Sequence, residues 1–323
     1  MVPSPLVVVG ASLGGVEALQ RLAAGLPDTF EAPLLVVLHV GAHKSVLPRL
    51  LEQKSKRPAV HPQDGDVIRP GRIYVAPPDN HMLVDGAVIR LTRGPKEHHT
   101  RPAIDPLFRS AALSRGRDVV GLVMTGALDD GTAGLQAIKA CGGRAVVQDP
   151  SDAVEPSMPK SALAWVDVDL TAPLDELPVL LARLVAHPNT TSDVAAHDQV
   201  ACEQKWFLGQ GDTMEHMRNV ATPSAYVCPD CRGALWEVSG SRPSRFRCHT
   251  GHAYTLRTLY DAQFAQTDEA LWGAVRALQE QELVLQRLAE EGPADAGQAA
   301  ELHSRRVRAR EHAEVLRRLI EPS

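Results

Sequence analysis

An aliphatic run leads into a serine set among small residues: Val7-Val8-Val9-Gly10-Ala11-Ser12-Leu13-Gly14-Gly15. A strand that ends this way permits a tight turn and lifts the serine hydroxyl out at the strand's carboxyl end. The helix that follows aims free backbone N–H groups at the same point, which suits a developing oxyanion. A dinucleotide-phosphate cradle is the competing reading of such a glycine-rich turn. It fails on two counts. The full G-x-G-x-x-G spacing is missing, and the second strand ends in His39, where a ribose-binding carboxylate would stand.

A serine nucleophile needs a base, and the base needs an orienting group. His39 closes the second aliphatic run, Leu35-Val36-Val37-Leu38-His39-Val40. In a parallel sheet all strand carboxyl ends share one edge, so His39 is expected beside Ser12. Met124-Thr125-Gly126-Ala127-Leu128-Asp129-Asp130-Gly131 follows a further aliphatic run and brings two carboxylates to that edge. One of the pair is expected to cap the following helix. The chain order Ser, His, Asp differs from the Ser, Asp, His of α/β-hydrolases and from both familiar protease orders.

A second constellation lies far downstream. Cys228-Pro229-Asp230-Cys231 and Cys248-His249-Thr250-Gly251-His252 are separated by 16 residues. These ligand types in two knuckles suit tetrahedral Zn²⁺. The expected ligands are Cys228, Cys231, Cys248 and His252, with His249 as the alternative fourth. Four protein ligands leave no open position, so the metal would be structural.

The elements that position these residues follow from the pattern. Strand-like runs at 6–9, 34–40, 73–76, 119–124 and 145–148 alternate with helical stretches at 16–24, 46–52 and 132–140. That alternation predicts βαβ units, hence an α/β, doubly wound, mainly parallel sheet over residues 1–187. Residues 188–223 read as a polar linker with one short helical stretch near 213–220. The zinc-binding module spans 224–256. A helical hairpin spans 257–323, with Leu271, Leu278 and Leu285 on a seven-residue spacing and a break at Gly292-Pro293. Its apolar stripe must be buried on its own second helix, a twin chain or a helical partner, making 257–320 a candidate for self-association.

The 323 residues suffice for about two domains. The chain is 44% hydrophobic and 23% charged with a formal net charge of -5, which excludes wholesale disorder and argues against a nucleic-acid partner. No apolar run reaches the ~18 residues of a membrane span, and no leader is evident, so no membrane insertion and a cytoplasmic location are expected.

Taken together, the motifs resemble the catalytic domain of the chemotaxis protein-glutamate methylesterases (CheB-type). The matching blocks are Gly10 to Gly15, the strand ending in His39, Val75 to His81, Arg101 to Ser110, Thr125 to Gly131 and Met158-Pro159, in order over about residues 5 to 185. The resemblance implies a Ser12, His39, Asp130 triad, with oxyanion donors at the backbone N–H groups of Leu13 and Ala127. It implies hydrolysis of γ-glutamyl methyl esters on a methylated chemoreceptor or related signalling protein, with glutamine deamidation by the same route and no cofactor for catalysis. Two departures stand out: Leu13 replaces a small polar residue, and Gly126-Ala127-Leu128 replaces Gly-Met-Gly. No receiver segment precedes Ser12, and the cysteine module resembles C-terminal extensions of some receiver-less family members. A catalytically idle scaffold is the alternative reading. All triad candidates precede residue 131, so chemistry on a small ester is expected to be independent of residues beyond 190.

Overall fold

The computed structural model describes residues 5–39, 45–187, 198–292 and 295–321, arranged in two compact units, Met1–Thr258 and Leu259–Ser323. Val40, residues 188–197 of the expected linker and Pro293 lie outside the described residues.

In the first unit, β1 (Leu6–Ala11), α1 (Gly15–Gly25), β2 (Leu34–Leu38), α2 (Leu47–Ser55), β3 (Ala59–Val60) and β4 (Ile73–Val75) open the fold. A hairpin of β5 (His81–Asp85) and β6 (Val88–Thr92) precedes α3 (Ile104–Arg115) and β7 (Val119–Val123). Then follow α4 (Thr132–Ala140), β8 (Arg144–Gln148), α5 (Ser157–Trp165), β9 (Leu170–Ala172) and α6 (Leu177–Ala186). Seven strands form one parallel sheet in the order β3-β4-β2-β1-β7-β8-β9, the doubly wound α/β class that the alternation predicts.

The periodicity of the core explains the aliphatic runs. Along β1, Leu6 and Val8 join one core, while Val7 and Val9 join the other across the sheet. Leu35 and Val37 against Leu34 and Val36 repeat this in β2. A strand covered on both faces has no polar face, so it reads as a continuous apolar run rather than an alternation.

Where it is described, the polar stretch read as a linker carries two helices, of which the pattern predicts the one near 213–220 and not the one before it. Residues 198–208 form α7 (Asp198–Leu208) and residues 213–220 form α8 (Thr213–Val220), the latter capped by Asp212 accepting from Met214 N at 2.9 Å. Trp206 and Phe207 are buried, and so is Glu203, paired with arginines. Burial through ion pairing hides the helix from a hydropathy reading.

Four antiparallel strands follow: β10 (Ala221–Val227), β11 (Ala234–Val238), β12 (Arg245–Cys248) and β13 (Ala253–Thr255). They carry the cysteine cluster, and they belong to the same compact unit as the parallel sheet. Strand β13 bridges in parallel to Glu97, and His98 N donates to Ala253 O at 2.9 Å. The second unit holds most of α9 (Leu256–Glu291) and all of α10 (Ala296–Ile320), joined by burial of Val275, Ala309 and Ala313 and by Arg310 Nε donating to Glu282 Oε1 at 2.8 Å. The Leu271, Leu278, Leu285 stripe is half-buried.

Candidate active site

The chain winds outward from β1 in two directions, through β2, β4 and β3 on one side and through β7, β8 and β9 on the other. At such a switch point the loops beyond the strand carboxyl ends part and leave a crevice. Ser12 directly follows β1, His39 directly follows β2, and the Thr125 to Gly131 loop follows β7.

The Ser12 turn is stitched into its neighbours. Ser12 N donates to Thr125 O at 2.9 Å, His39 N to Ala11 O at 3.3 Å, and the Thr125 hydroxyl to Leu13 O at 2.9 Å. Gly14 takes a left-handed φ of 78° at the start of α1, a conformation glycine adopts without a Cβ penalty. Gly126 is needed for a different reason: a Cβ there would stand 2.8 Å from Ser12 Cβ and 2.1 Å from Met158 Sδ. That contact gives Met158 its place in the motif set. The N–H groups of Leu13 and Ala127 donate to no acceptor among the described residues. Leu128 carries a left-handed φ of 66°, so a leucine holds the conformation that a glycine would take without strain.

His39 Nδ1 lies 3.1 Å from Ser12 Oγ, and His39 Nε2 lies 2.7 Å from Asp130 Oδ2. With Nε2–H donating to the carboxylate, the Nδ1 lone pair is free to accept the serine proton. The two ring nitrogens thus exchange the places they hold in the chymotrypsin arrangement. Asp130 is also fixed by Ile104 N at 2.8 Å and Asp105 N at 3.0 Å, both at the start of α3. Burial alone would push its carboxyl up. The positive charge of His98 and then the hydrogen bond from His39 outweigh burial and hold it below the ordinary carboxylate range.

Neither Asp129 nor Asp130 caps α4 by its side chain. The cap residue is Gly131, and the capping carboxylate comes from Asp105, whose Oδ1 accepts from Gly131 N at 3.0 Å and Gly134 N at 2.6 Å. A sequence-local rule cannot find a cap supplied 26 residues upstream.

The cysteine cluster is equally compact. Donor atoms of Cys228, Cys231, Cys248 and His252 all lie within 4.8 Å of one another, and His249 is exposed outside the group. Cys231 Sγ to Cys248 Sγ is 3.6 Å, Cys248 Sγ to His252 Nδ1 is 3.5 Å and Cys228 Sγ to His252 Nδ1 is 3.7 Å. A tetrahedron with Zn–S bonds of ~2.3 Å and a Zn–N bond of ~2.0–2.1 Å has edges of about 3.5–3.8 Å, so the residues present fit that metal.

A hydroxyl, an imidazole and a carboxylate in hydrogen-bonded series, at the carboxyl edge of a doubly wound sheet, define a site of the acyl-transferring hydrolase class. The family model for CheB methylesterase matches residues 7–181, and the chain belongs to that family. Among curated relatives, a protein-glutamate methylesterase/protein-glutamine glutaminase of Anaeromyxobacter dehalogenans is 38% identical over 55% of this chain and 53% of its own length. A putative enzyme of the same name from Leptospira interrogans is 35% identical over 55% of this chain and 93% of its own. One from Pyrococcus abyssi is 38% identical over 55% of this chain and 50% of its own. The chain thus matches about half the length of two of these relatives and nearly all of the third. The crystal structure of the Thermotoga maritima CheB methylesterase catalytic domain superposes with a TM-score of 0.54 at 30% identity, covering 57% of this chain and all of that one. Among the described residues no helix is long and apolar enough to cross a membrane.

Proposed function

We propose that this chain is a protein-glutamate methylesterase in which Ser12 is the nucleophile, His39 the general base and Asp130 its orienting carboxylate. The observation that carries this reading is the Ser12–His39–Asp130 series at 3.1 and 2.7 Å. His39 Nδ1 takes the hydroxyl proton as Ser12 Oγ attacks the γ-carbonyl of a glutamyl methyl ester. The tetrahedral oxyanion is received by the N–H groups of Leu13 and Ala127, each donor worth ~3 kcal/mol. Asp130 stabilises the imidazolium formed on the way. Methanol leaves with the proton from His39, and water then releases the glutamate by the same path. A glutamine side chain passes through the same intermediate with ammonia leaving. The substrate is a methylated chemoreceptor or related signalling protein, encountered in the cytoplasm. The names of the relatives favour this over an idle scaffold, as does the intact hydrogen-bonded series. A fluorophosphonate should label Ser12 stoichiometrically, as read by peptide mass spectrometry, and His39→Ala should abolish that labelling. Labelling elsewhere, or equal labelling of both proteins, would remove Ser12 from the role.

We further propose that Cys228, Cys231, Cys248 and His252 hold one structural Zn²⁺, which would tie β10–β13 together. Elemental analysis should find one zinc per chain, lost in Cys228→Ser and retained in His249→Ala.

A further inference from the structure

We propose that His98 is a positioning residue for the triad: held by β13 of the cysteine-bearing sheet, it is the cation that keeps Asp130 in line with His39. The inference rests on the triad reading above. Three carboxylates surround this one buried ring. His98 Nε2 lies 3.0 Å from Asp105 Oδ2 and 3.7 Å from Asp130 Oδ1, and Nδ1 lies 3.5 Å from Asp129 Oδ1. His98 Nδ1 and Asp129 Oδ1 have no hydrogen-bond partner, so each buried atom has only the other's charge to answer it. Burial and then the charge of Asp130 push the Asp105 carboxyl up, while His98 is first among the partners that hold Asp130 down. Without that cation Asp130 loses the largest charge opposing its burial, and its carboxyl rises. A protonated Asp130 cannot stabilise a charged His39.

The backbone explains how the ring is kept there. His98 and His99 are consecutive non-glycine residues with left-handed φ of 51° and 61°. Such strain persists only where the surroundings impose it. Here the constraint comes from downstream: His98 N donates to Ala253 O, Ala253 N donates to Lys96 O, and the His99 ring lies 4.9 Å from that of Tyr254. Tyr254 Oη in turn sits 3.3 Å from Cys228 Sγ. The segment 96–99 is therefore a strap between the cysteine cluster and the triad carboxylate. Around the ring stand Asp105 from α3, Asp129 and Asp130 from the β7 loop, Glu97 beside it, Glu203 from α7, Arg245 and Arg247 from β12, and Tyr254. Burial disfavours the charged ring, but Asp130 first and Asp105 next outweigh it and push His98 up to about 10.

The test compares wild type with His98→Asn, since asparagine tolerates a left-handed backbone but carries no charge. On a small methyl ester, kcat should fall roughly tenfold or more below neutrality with KM unchanged, and the acid limb should move up by about a unit or more. Activity should recover towards alkaline pH. A loss equal at every pH, or wild-type behaviour, would overturn the assignment. The charge is also readable without a variant: histidine-selective NMR of the wild-type chain should show His98 protonated at pH 8, and a neutral ring there ends the proposal. A second metal equivalent lost in His98→Asn would replace the proton by a bound cation and likewise overturn it. Ser12→Ala separates the two readings. Its retained hydrolysis would sink the triad, whereas the NMR result speaks to His98 alone.

Discussion

Asp130 is held from four directions: by His39 Nε2, by the N–H groups of Ile104 and Asp105, and by the charge of His98. The side chain of Asp129, its neighbour, has a 3.5 Å ion pair with His98 Nδ1, and its Oδ1 accepts no hydrogen bond among the described residues. Asp130→Asn should therefore lower kcat by orders of magnitude, because the amide can present its NH2 to His39 and favour the wrong tautomer. Asp129→Asn should cost less than about tenfold. Steady-state kinetics on a small ester decides, and the reverse order would contradict the assignment. Ser12, His39 and the Asp129–Asp130 pair were legible in the sequence because each closes or follows an aliphatic strand, and the geometry of parallel sheets gathers such ends. The choice of Asp130 within the pair came from the family resemblance alone. His98 and Asp105 were not. Both lie in matched or adjacent motif blocks, yet their meaning depends on being buried together, and charge burial leaves no trace in local pattern.

At the scale of elements, the parallel sheet was readable and the segment after it was not. Strands β1, β2, β4, β7 and β8 announce themselves as apolar runs, since both faces of the sheet are covered. Helix α7 escaped because its polarity is answered by partners distant in sequence. Glu97 receives Arg109 at 2.7 Å and Arg247 at 2.9 Å, while Glu203 receives Arg245 at 2.6 Å and Arg247 at 3.2 Å. This buried network joins α3, α7 and β12, so residues beyond 190 pack directly against the helices that cover the parallel sheet. Burial pushes the Glu203 carboxyl up, but Arg245, Arg247 and Arg109 outweigh it and bring it from 4.5 down to about 2. A depressed carboxyl adds stability that is complete above its unfolded value and disappears as pH falls through the folded one. Thermal unfolding should therefore show stability falling between about pH 4.5 and pH 2, and Glu203→Gln should flatten that dependence. An unchanged slope in the variant would mean that the network does not couple to folding.

The whole molecule divides after Thr258, two residues from the expected start of the helical hairpin at 257, while the expected divisions at 187 and 223 fall inside the first unit. The candidate site residues and the cysteine cluster both belong to the first unit. The α9–α10 hairpin leaves Leu283, Val284, Leu288, Val307, Val315 and Leu319 exposed. Removing residues 259–323 should leave hydrolysis of a small methyl ester within about twofold while lowering turnover of an intact receptor far more. Equal losses on both substrates would make the hairpin a stabiliser of the fold. The central claim is that this chain demethylates glutamyl esters through Ser12. The most direct measurement is methanol released from a methylated chemoreceptor by the wild-type chain and by Ser12→Ala. The structure predicts steady release by the first and none above background by the second, with both proteins folded by circular dichroism. Equal release from the two, or none from wild type, would contradict the account.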